Sequence, residues 1–278
     1  MRRTLGQPDR AARPGIPTKE IAMGTVLLVD AGNTNTKICL ADDAGLGESY
    51  TLPTRPANTD DDWGIKVEAI LAREGVEPRS VEACVISSVV PPLDPLFMRM
   101  ARRFLDCEAV FAGRDLTIDL INEYARPEQT GADILVGCLA ARLTYDAANL
   151  IVIDFGTATT LACVMGNAFK GGLICPGVLS SRSALASNTA KLPNVDLRVE
   201  TDTLTWGRST EECLNQGLVF GFASMIDGLV AKLSARMDDP FVVATGGLSR
   251  TIAQVAVSID ELRPDLVMEG LWMAYYNR

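Results

Sequence analysis

The sequence predicts an α/β protein made of two similar halves. Short apolar runs typical of strands alternate with helical patterns along the chain, which is the order expected of an α/β architecture. Residues 26–36 are also repeated, without gaps, at 150–160. A chain of 278 residues has room for two domains that each bury a core. We therefore expect a leader at 1–23, an N-terminal lobe at 24–147 and a C-terminal lobe at 148–278.

The individual elements follow from the spacing of the apolar residues. Intervals of three and four residues predict helices, and short continuous apolar runs predict strands. In the first half we expect strands at 25–29, 37–41, 83–87 and 109–112, and helices at 62–74, 91–105 and 131–145. In the second half we expect strands at 150–153 and 241–244, and helices at 210–236 and 266–276.

Composition and charge exclude several classes of protein. The net charge of −9 argues against a nucleic-acid partner, which would need a positive excess. Apolar runs fall well short of the roughly 20 residues that a membrane helix needs, so we expect no membrane partner. The absence of histidine removes His-dependent triads and His-ligated metal sites. Seven scattered cysteines are typical of buried small hydrophobes in a reducing compartment, and we expect a cytoplasmic protein.

The first 23 residues differ from the rest of the chain. They contain four arginines and three prolines, and they lack the apolar core of a secretory signal. We interpret this segment as a disordered leader, or as the result of an early start codon, rather than as a functional basic arm.

The repeated segment has the chemistry of a phosphate-binding hairpin. Each copy ends a buried strand with an aspartate, Asp30 or Asp154, followed two positions later by Gly32 or Gly156. Glycine lets the chain turn and lets a ligand approach the backbone, and the amides and hydroxyls that follow can donate to phosphate oxygens. Because a strand follows rather than a helix, this is not a Walker or Rossmann loop. The pattern is also ordinary hairpin chemistry, but two equivalent copies favour phosphate binding.

Two such hairpins followed by a late Gly246-Gly247 turn resemble the acetate and sugar kinase/Hsc70/actin superfold. The resemblance implies duplicated ribonuclease H-like, or actin-like ATPase, domains with the active site in the cleft between them. In that superfold the late Gly-Gly loop packs against the adenosine. Without this context, the same pair is equally an ordinary strand-to-helix turn.

A closer resemblance covers nearly everything from residue 23 to the C-terminus. It rests on motifs that occur in a fixed order, of which Asp-Phe-Gly-Thr-Ala-Thr-Thr at 154–160 is the most specific. The others are Asp-Ala-Gly-Asn-Thr-Asn-Thr (30–36), Pro-Pro-Leu (91–93), Tyr-Ala-Arg-Pro (124–127), Gly-Ala-Asp (131–133), Gly-Gly-Leu-Ile-Cys-Pro-Gly (171–177) and Glu-Gly-Leu (269–271). Together they resemble a type III pantothenate kinase.

This resemblance implies an activity, its cofactors and an assembly. The enzyme would transfer the γ-phosphoryl group of ATP to the hydroxyl of pantothenate, the first step towards coenzyme A. It would use Mg²⁺ and a monovalent cation, K⁺ or NH₄⁺, and work as a homodimer. We expect the second lobe to form the dimer contact, because the helical region 210–236 carries more apolar residues than one lobe would seem to need. The alternative is that these residues are buried inside a single lobe.

The resemblance also assigns roles to residues. Asp30 would bind the metal, Asp154 would support the metal or the monovalent cation, and Asp133 would accept or orient the proton of the attacking hydroxyl. The expected nucleotide-binding residues are Asp30, Gly32, Asn33, Thr34, Thr36, Lys37, Gly156, Thr157, Thr159, Gly246 and Gly247. The expected acceptor-binding residues are Tyr124, Gly131, Ala132 and Ile134. From the residues alone, Asp133 is equally a helix-start carboxylate stabilised by the helix dipole.

One position departs from the family pattern. The pattern continues Gly-x-Asp-Arg, with the arginine on the acceptor side, and here Ile134 takes its place. An alkyl chain cannot replace the charge-assisted hydrogen bonds of a guanidinium to a carboxylate. Weak phosphorylation of pantothenate is therefore expected unless Arg126, Arg142 or Arg182 substitutes. The alternatives are a kinase for another small hydroxylated acceptor and a non-catalytic nucleotide-binding regulator.

Overall fold

The computed structural model describes residues 24–55 and 57–276, and the predicted leader at 1–23 lies outside this part. The described chain forms two mixed β-sheets with helices packed on their faces. The α-helices are α1 (Asp60–Glu74), α2 (Asp94–Met100), α3 (Ala132–Thr144), α4 (Val178–Ser187), α5 (Thr210–Ser234), α6 (Ser249–Ile252) and α7 (Leu266–Tyr276). The duplicated α/β architecture predicted from the sequence is confirmed.

The first sheet has five strands in the order β3-β2-β1-β4-β5. They are β1 (Val26–Ala31), β2 (Asn35–Asp42), β3 (Gly45–Pro53), β4 (Ala83–Ser88) and β5 (Glu108–Phe111). The first three strands form an antiparallel meander, while β4 and β5 run parallel to β1. Helices α1 and α2 cover one face, where Trp63 and Phe97 pack with Leu27 and Val29.

The second sheet has six strands in the order β11-β10-β7-β8-β9-β6. They are β6 (Ile121–Asn122), β7 (Asn149–Phe155), β8 (Ala158–Met165), β9 (Ala168–Pro176), β10 (Phe241–Thr245) and β11 (Glu261–Leu262). Strand β7 occupies the position that β1 has in the first sheet, antiparallel to β8 and parallel to β10. The two copies of the repeat are therefore topologically equivalent.

Helix α5 buries five residues, Leu218, Val219, Ala223, Ile226 and Val230. Phe222, Met225 and Leu229 pack partly against the same core of the second sheet. In the described part of the chain, α5 is the one helix whose length and composition would suffice to cross a membrane. Core helices of globular proteins meet the same two criteria, and α5 packs one side on the core of the second sheet, with 28% of its most apolar stretch buried.

Helices α3 and α7 lie between the two sheets. Val136 and Leu139 of α3 pack with Val26 and Leu28 of β1. On the side of the second sheet, α3 places Cys138, Ala140 and Ala141 against residues of β7 and β8. Helix α3 therefore belongs to the cores of both halves, and its first turn is fixed relative to both sheets.

The C-terminal helix connects the second half of the chain to the first sheet. Met268 and Leu271 of α7 pack in the cluster that contains β1. The Trp272 Nε1 donates to the Asp42 carbonyl oxygen at 2.7 Å. Strand β6 makes the opposite crossing, because it precedes α3 in sequence but pairs with β9. The predicted lobe boundary between 147 and 148 stays a prediction, and these two elements cross it.

The strand register corrects the predicted repeat. Asp30 pairs with Lys37 seven residues later, whereas Asp154 pairs with Thr160 six residues later. The Gly32 amide donates to the Asn35 carbonyl, while the Gly156 amide donates to the Ala158 carbonyl, both at 3.1 Å. The second turn is one residue shorter, so the ungapped alignment is wrong beyond the glycine.

This shorter turn changes which residues correspond. Thr36 pairs with Ala31 and Thr159 pairs with Phe155, so Thr159 and not Thr160 is the counterpart of Thr36. Cys39 and Cys163, which match in the ungapped alignment, lie on opposite faces of their sheets. Cys39 packs in the cluster that contains α3, and Cys163 packs in the cluster that contains α5.

Candidate active site

Three aspartates converge where α3 begins between the two sheets. Asp30 lies near the end of β1, Asp154 near the end of β7, and Asp133 in the first turn of α3. Alternation along a strand places Asp30 on the same face as Leu28, and Asp154 on the same face as Val152. Those two faces are the ones that pack against α3. The fold thus brings together the three carboxylates predicted from the sequence.

The electrostatics of these aspartates show that they share one environment. The pKa of Asp30 is raised to about 7, mainly by burial and also by the charges of Asp133 and Asp154, while Ser87 and Lys37 act to lower it. The pKa of Asp154 is raised to about 6, mainly by burial and also by the charge of Asp133, while Lys37 acts to lower it. A buried carboxylate that is close to other carboxylates is costly to ionise, and a nearby cation lowers that cost.

Asp133 is oriented by the start of its own helix. Burial raises the pKa of its carboxyl group, although the backbone amide of Ile134 donates to its Oδ1 at 2.8 Å and lowers the pKa. A Cβ atom on Gly131 would lie 2.4 Å from the same Oδ1. Glycine at 131 therefore leaves room for the Asp133 carboxylate beside the backbone.

The two predicted hairpin turns face each other. The hydroxyl groups of Thr34 and Thr157 are 2.8 Å apart, and these residues occupy equivalent positions once the shorter second turn is taken into account. The Thr54 hydroxyl donates to the Gly32 carbonyl at 2.7 Å and supports the first turn. Ser180 of α4 supports the second, donating to the Thr157 carbonyl at 2.7 Å.

Two further glycines bring backbone against the second turn. Gly246 has a φ of +90°, and a Cβ atom there would lie 2.2 Å from the Asp154 Oδ1. A Cβ atom on Gly177 would lie 2.0 Å from the Thr157 carbonyl oxygen. The predicted Gly246-Gly247 turn thus lies beside Asp154, whereas a Cβ atom on Gly247 would contact nothing within 4 Å.

Other predicted nucleotide-binding residues have different surroundings. Asn33 is exposed, while Thr36 is buried with its hydroxyl 2.8 Å from that of Thr54. The buried Thr159 hydroxyl has no hydrogen-bond partner in the described part of the protein. Lys37 donates to the Pro264 carbonyl at 3.0 Å and to Asp265 at 3.2 Å. Phosphate binding by these residues stays a prediction.

The predicted acceptor-binding residues near the start of α3 differ in their burial and in what they pack against. Ala132 and Ile134 are both partly buried. Ile134 packs against the cluster that contains Cys138 and the strands of the second sheet. The ring of Tyr124 would contact a Cβ atom on Gly171 at 3.7 Å, and it is 40% exposed. The ring of Tyr124 therefore packs against β9 at Gly171, and the rest of the ring is open to a ligand.

Comparison with known proteins identifies the family. The family model for type III pantothenate kinase matches residues 26–232. The chain belongs to the type III pantothenate kinase family. A type III pantothenate kinase from Nitratidesulfovibrio vulgaris is 49% identical over 254 residues, which cover 91% of this chain and 97% of the relative. One from Oleidesulfovibrio alaskensis is 48% identical, covering 90% of this chain and 95% of the relative.

Solved structures agree on the fold of this family member. A Baf-family protein from Campylobacter jejuni superposes with a TM-score of 0.55 at 16% identity, covering 91% of this chain and 98% of the other. A candidate 2-dehydro-3-deoxygalactonokinase from Sinorhizobium meliloti gives a TM-score of 0.55 at 12% identity, covering 91% and 96%. The chain thus has the actin-like ATPase and sugar kinase fold.

The donor set of this kinase family member fits a hard divalent cation. In residues 24–55 and 57–276, groups of three or more Cys, Asp or Glu side chains arranged to hold a metal ion are absent. Asp30 and Asp154 supply carboxylate oxygens, and Mg²⁺ is commonly held by one or two carboxylates together with substrate phosphates and water. The residues present therefore fit an ion that binds with the nucleotide.

The sequence did not single out several residues of this site. Ser87, which lowers the pKa of Asp30, lies on β4 and belongs to none of the sequence motifs. Asp265, which holds Lys37, is 228 residues away from it in the chain. Gly177 ends the Gly-Gly-Leu-Ile-Cys-Pro-Gly motif, but the motif did not show that a Cβ atom there would lie 2.0 Å from the Thr157 carbonyl oxygen and 2.9 Å from that of Gly156.

Proposed function

We propose that this protein transfers the γ-phosphoryl group of ATP to the hydroxyl of pantothenate. Membership of the type III pantothenate kinase family supports the reaction. The observation that carries the proposal is the position of Asp133 at the start of α3, close enough to Asp30 and Asp154 of the two hairpins for its charge to raise the pKa of both. Phosphoryl transfer needs positioning, neutralisation of charge, and one carboxylate directed at the nucleophile.

The nucleotide phosphates lie between the two hairpin turns in this proposal. Thr34 and Thr157 already meet there, and their hydroxyls and the neighbouring backbone amides are suitable donors to phosphate oxygens. The adenosine lies against the Gly246-Gly247 turn, where Gly246 leaves room beside the second strand end. Both ends of the nucleotide are then held mainly by backbone, which suits a chain of net charge −9.

Asp30 and Asp154 hold Mg²⁺ in this proposal, and Asp154 also supports a monovalent cation, K⁺ or NH₄⁺. When bound, Mg²⁺ would neutralise the charge on the transferring phosphoryl group. The raised pKa values of both aspartates support this assignment, because each carboxylate is costly to ionise without a cation beside it.

Asp133 acts on the acceptor as general base. Its Oδ1 is fixed by the Ile134 amide, which leaves the other oxygen to accept the proton of the pantothenate hydroxyl. The acceptor oxygen forms a bond to the γ-phosphorus while the bond to the bridging oxygen breaks, and ADP leaves with the electron pair. The raised pKa of Asp133 brings it nearer to the operating pH, which suits a general base.

The functional unit in this proposal is a homodimer formed through the second lobe. Much of the apolar stripe of α5 is used within its own lobe, so the support comes from neighbouring residues. Leu179 and Leu185 of α4, and Leu204 and Trp206 before α5, are exposed apolar side chains. The segment that carries Trp206 is fixed to α5, because the Gln216 side chain accepts from the Thr205 amide at 3.5 Å and that of Glu212 from the Arg208 amide at 2.7 Å.

An acceptor screen tests the proposed function. ADP release from ATP and Mg²⁺ is measured with pantothenate, with its carboxylate-reduced alcohol analogue, and with unrelated sugars and sugar acids. We expect pantothenate to give the highest kcat/KM. Preference for a different acceptor would identify a kinase of the same fold with another substrate, and ATP binding without any ADP release would identify a non-catalytic protein.

A further inference from the structure

We propose that Arg126 binds the carboxylate of the acceptor, an inference that rests on the proposed function. Pantothenate carries a carboxylate at the end opposite its reacting hydroxyl. The hydroxyl end must approach Asp133, which lies close to two further carboxylates, Asp30 and Asp154. An anionic acceptor in such surroundings needs a cationic partner, and a guanidinium offers two parallel donors to a carboxylate.

Arg142 and Lys37 are already committed to other partners. Arg142 donates to the backbone carbonyls of Ala147, Gly166 and Tyr145, beyond the end of α3 that is opposite to Asp133. The nine residues that separate it from Asp133 along the helix span about 14 Å. Lys37 is bonded to Pro264 and Asp265.

Lys170 and Arg182 are committed as well. Lys170 forms an ion pair with Glu123 at 2.6 Å. Arg182 donates through one terminal nitrogen to the Val195 carbonyl at 3.0 Å, while its buried Nε has no hydrogen-bond partner among the described residues. Moving either side chain to a ligand would break a contact that the folded protein already makes.

Arg126 differs from these four side chains. It is exposed, and in the part of the chain that the structure describes its guanidinium makes neither a hydrogen bond nor an ion pair. Its backbone, by contrast, is fixed, because its carbonyl accepts from the Gln129 amide at 2.9 Å. The residue therefore combines a held backbone with a free cationic side chain.

The loop that carries Arg126 leads directly to Asp133. The side-chain amide of Asn122 donates to the Pro127 carbonyl at 3.4 Å and to the Thr130 hydroxyl at 3.2 Å, and these bonds hold the two ends of the loop together. The next residue is Gly131, which lies against the Asp133 carboxylate. On its other side the loop carries Tyr124, whose partly exposed ring lies over Gly171. Along the chain, Arg126 thus lies between Tyr124 and Gly131, two residues expected to contact the acceptor.

The test compares Arg126→Gln with Arg126→Lys and with a matched control, Arg79→Gln. Arg79 is exposed and lies in the turn Pro78–Ser80, just before the start of β4. Ser87, which lies close to the aspartates, is near the other end of that strand. Each glutamine variant removes one positive charge from the surface. Thermal unfolding confirms that all three variants keep the wild-type fold.

We expect Arg126→Gln to raise the KM for pantothenate by about 10- to 100-fold, the loss associated with one hydrogen-bonded charge pair. The KM for the alcohol analogue and the KM for ATP stay at their wild-type values, because neither involves the acceptor carboxylate. Arg126→Lys retains part of the affinity for pantothenate, and Arg79→Gln behaves as wild type. Equal effects of Arg126→Gln on both acceptors, or no effect on either, would overturn the proposal.

A binding measurement separates this proposal from the proposed function. If wild type turns over neither acceptor, the proposed function fails, and calorimetry with pantothenate in the presence of ADP still tests Arg126. The assignment is supported if pantothenate binds more weakly to the Arg126→Gln protein than to wild type. Equal binding to both proteins, or binding to neither, contradicts it.

Discussion

At the scale of single residues, the site is defined by the repulsion of three carboxylates. Asp30, Asp133 and Asp154 come from elements far apart in sequence, and each has its pKa raised, first of all by burial. Such an arrangement is unfavourable for the ligand-free protein at neutral pH and becomes favourable when a cation enters. The residues to which we assign the metal and the general base therefore also destabilise the ligand-free protein.

The stability of the ligand-free protein should fall with rising pH because of Asp30. Its folded pKa of about 7 lies above the ordinary 3.8, so the native state binds more protons than the unfolded state in between. The stability that Asp30 contributes is full below its ordinary pKa and is lost as pH rises through about 7. We expect Asp30→Asn to unfold at a higher temperature than wild type at pH 8, with a smaller difference at pH 5.

Thermal unfolding at the two pH values, without nucleotide or metal, checks this prediction. The same variant should lose the additional thermal stabilisation that Mg²⁺ and ATP give to wild type. An Asp30→Asn protein with the wild-type pH dependence and undiminished stabilisation by Mg²⁺ and ATP would show that Asp30 lies outside the metal and nucleotide site.

Residue identity was easier to predict than side-chain direction. The aspartates were predictable because an apolar run that ends in Asp, with Gly two positions later, marks the end of a strand and the turn after it. The directions of Lys37 and Ile134 were not, because they depend on partners from other elements. Lys37 turns towards Asp265 at the start of α7, and Ile134 packs against the second sheet.

At the scale of elements, the late glycine turn gives a matched pair of substitutions. Gly246 has a left-handed φ and no room for a Cβ atom beside Asp154, while a Cβ atom on Gly247 would contact nothing within 4 Å. We expect Gly246→Ala to lower the free energy of unfolding by at least about 1 kcal/mol, the cost of a left-handed alanine. It should also weaken ATP binding, because Asp154 must shift.

Gly247→Ala is the comparison variant: it should keep stability close to wild type, because its Cβ atom meets no protein atom within 4 Å, and it should weaken ATP binding less than Gly246→Ala does. Chemical denaturation and nucleotide titration measure the two quantities. If the two alanine variants behaved alike, the close approach of Gly246 to Asp154 would have no consequence for the nucleotide site.

The repeat was predictable from the sequence, but its register was not. Matching apolar residues and glycines located both hairpins correctly. A one-residue difference inside a turn leaves no trace in an ungapped alignment, since threonines occur at both positions. Strand β9, with alternating exposed residues and two glycines, was missed for a related reason, because its apolar pattern is weak.

The predicted helix at 91–105 shows another limit of apolar periodicity. The structure divides it into a 3₁₀ turn, α2 and a π-helical turn at Ala101–Leu105. All three keep apolar residues directed at the first core, so the spacing of these residues does not distinguish between them.

At the scale of the whole molecule, α3 and α7 tie the two halves together. Each helix contributes residues to clusters on both sides of the cleft. Because Asp133 stands at the start of α3, any relative movement of the two sheets changes its distance from Asp30 and Asp154. The sequence predicted both helices, but only the packing shows that they are shared between the halves.

The proposed dimer makes a prediction about Trp206, which is 83% exposed. We expect wild type to sediment as a dimer of 29.8 kDa chains and Trp206→Asp to shift towards the monomer, because a charge at an apolar interface must be desolvated. Ile65→Asp, at an exposed position on α1 of the first lobe, should leave the dimer intact. Sedimentation velocity at micromolar concentration measures all three. A wild-type monomer, or equal behaviour of the two variants, would contradict the proposed interface.

The measurement that tests the central claim most directly is phosphorylation of pantothenate by wild type and by Asp133→Asn, followed by mass spectrometry alongside ATP titration. The account predicts a phosphorylated product with wild type. In Asp133→Asn, turnover should fall by roughly 10²–10⁴, the usual contribution of a general base, while ATP affinity stays within a few-fold. If Asp133→Asn turned over pantothenate as fast as wild type, or if it no longer bound ATP, the assignment of Asp133 as the base that faces the acceptor would be contradicted.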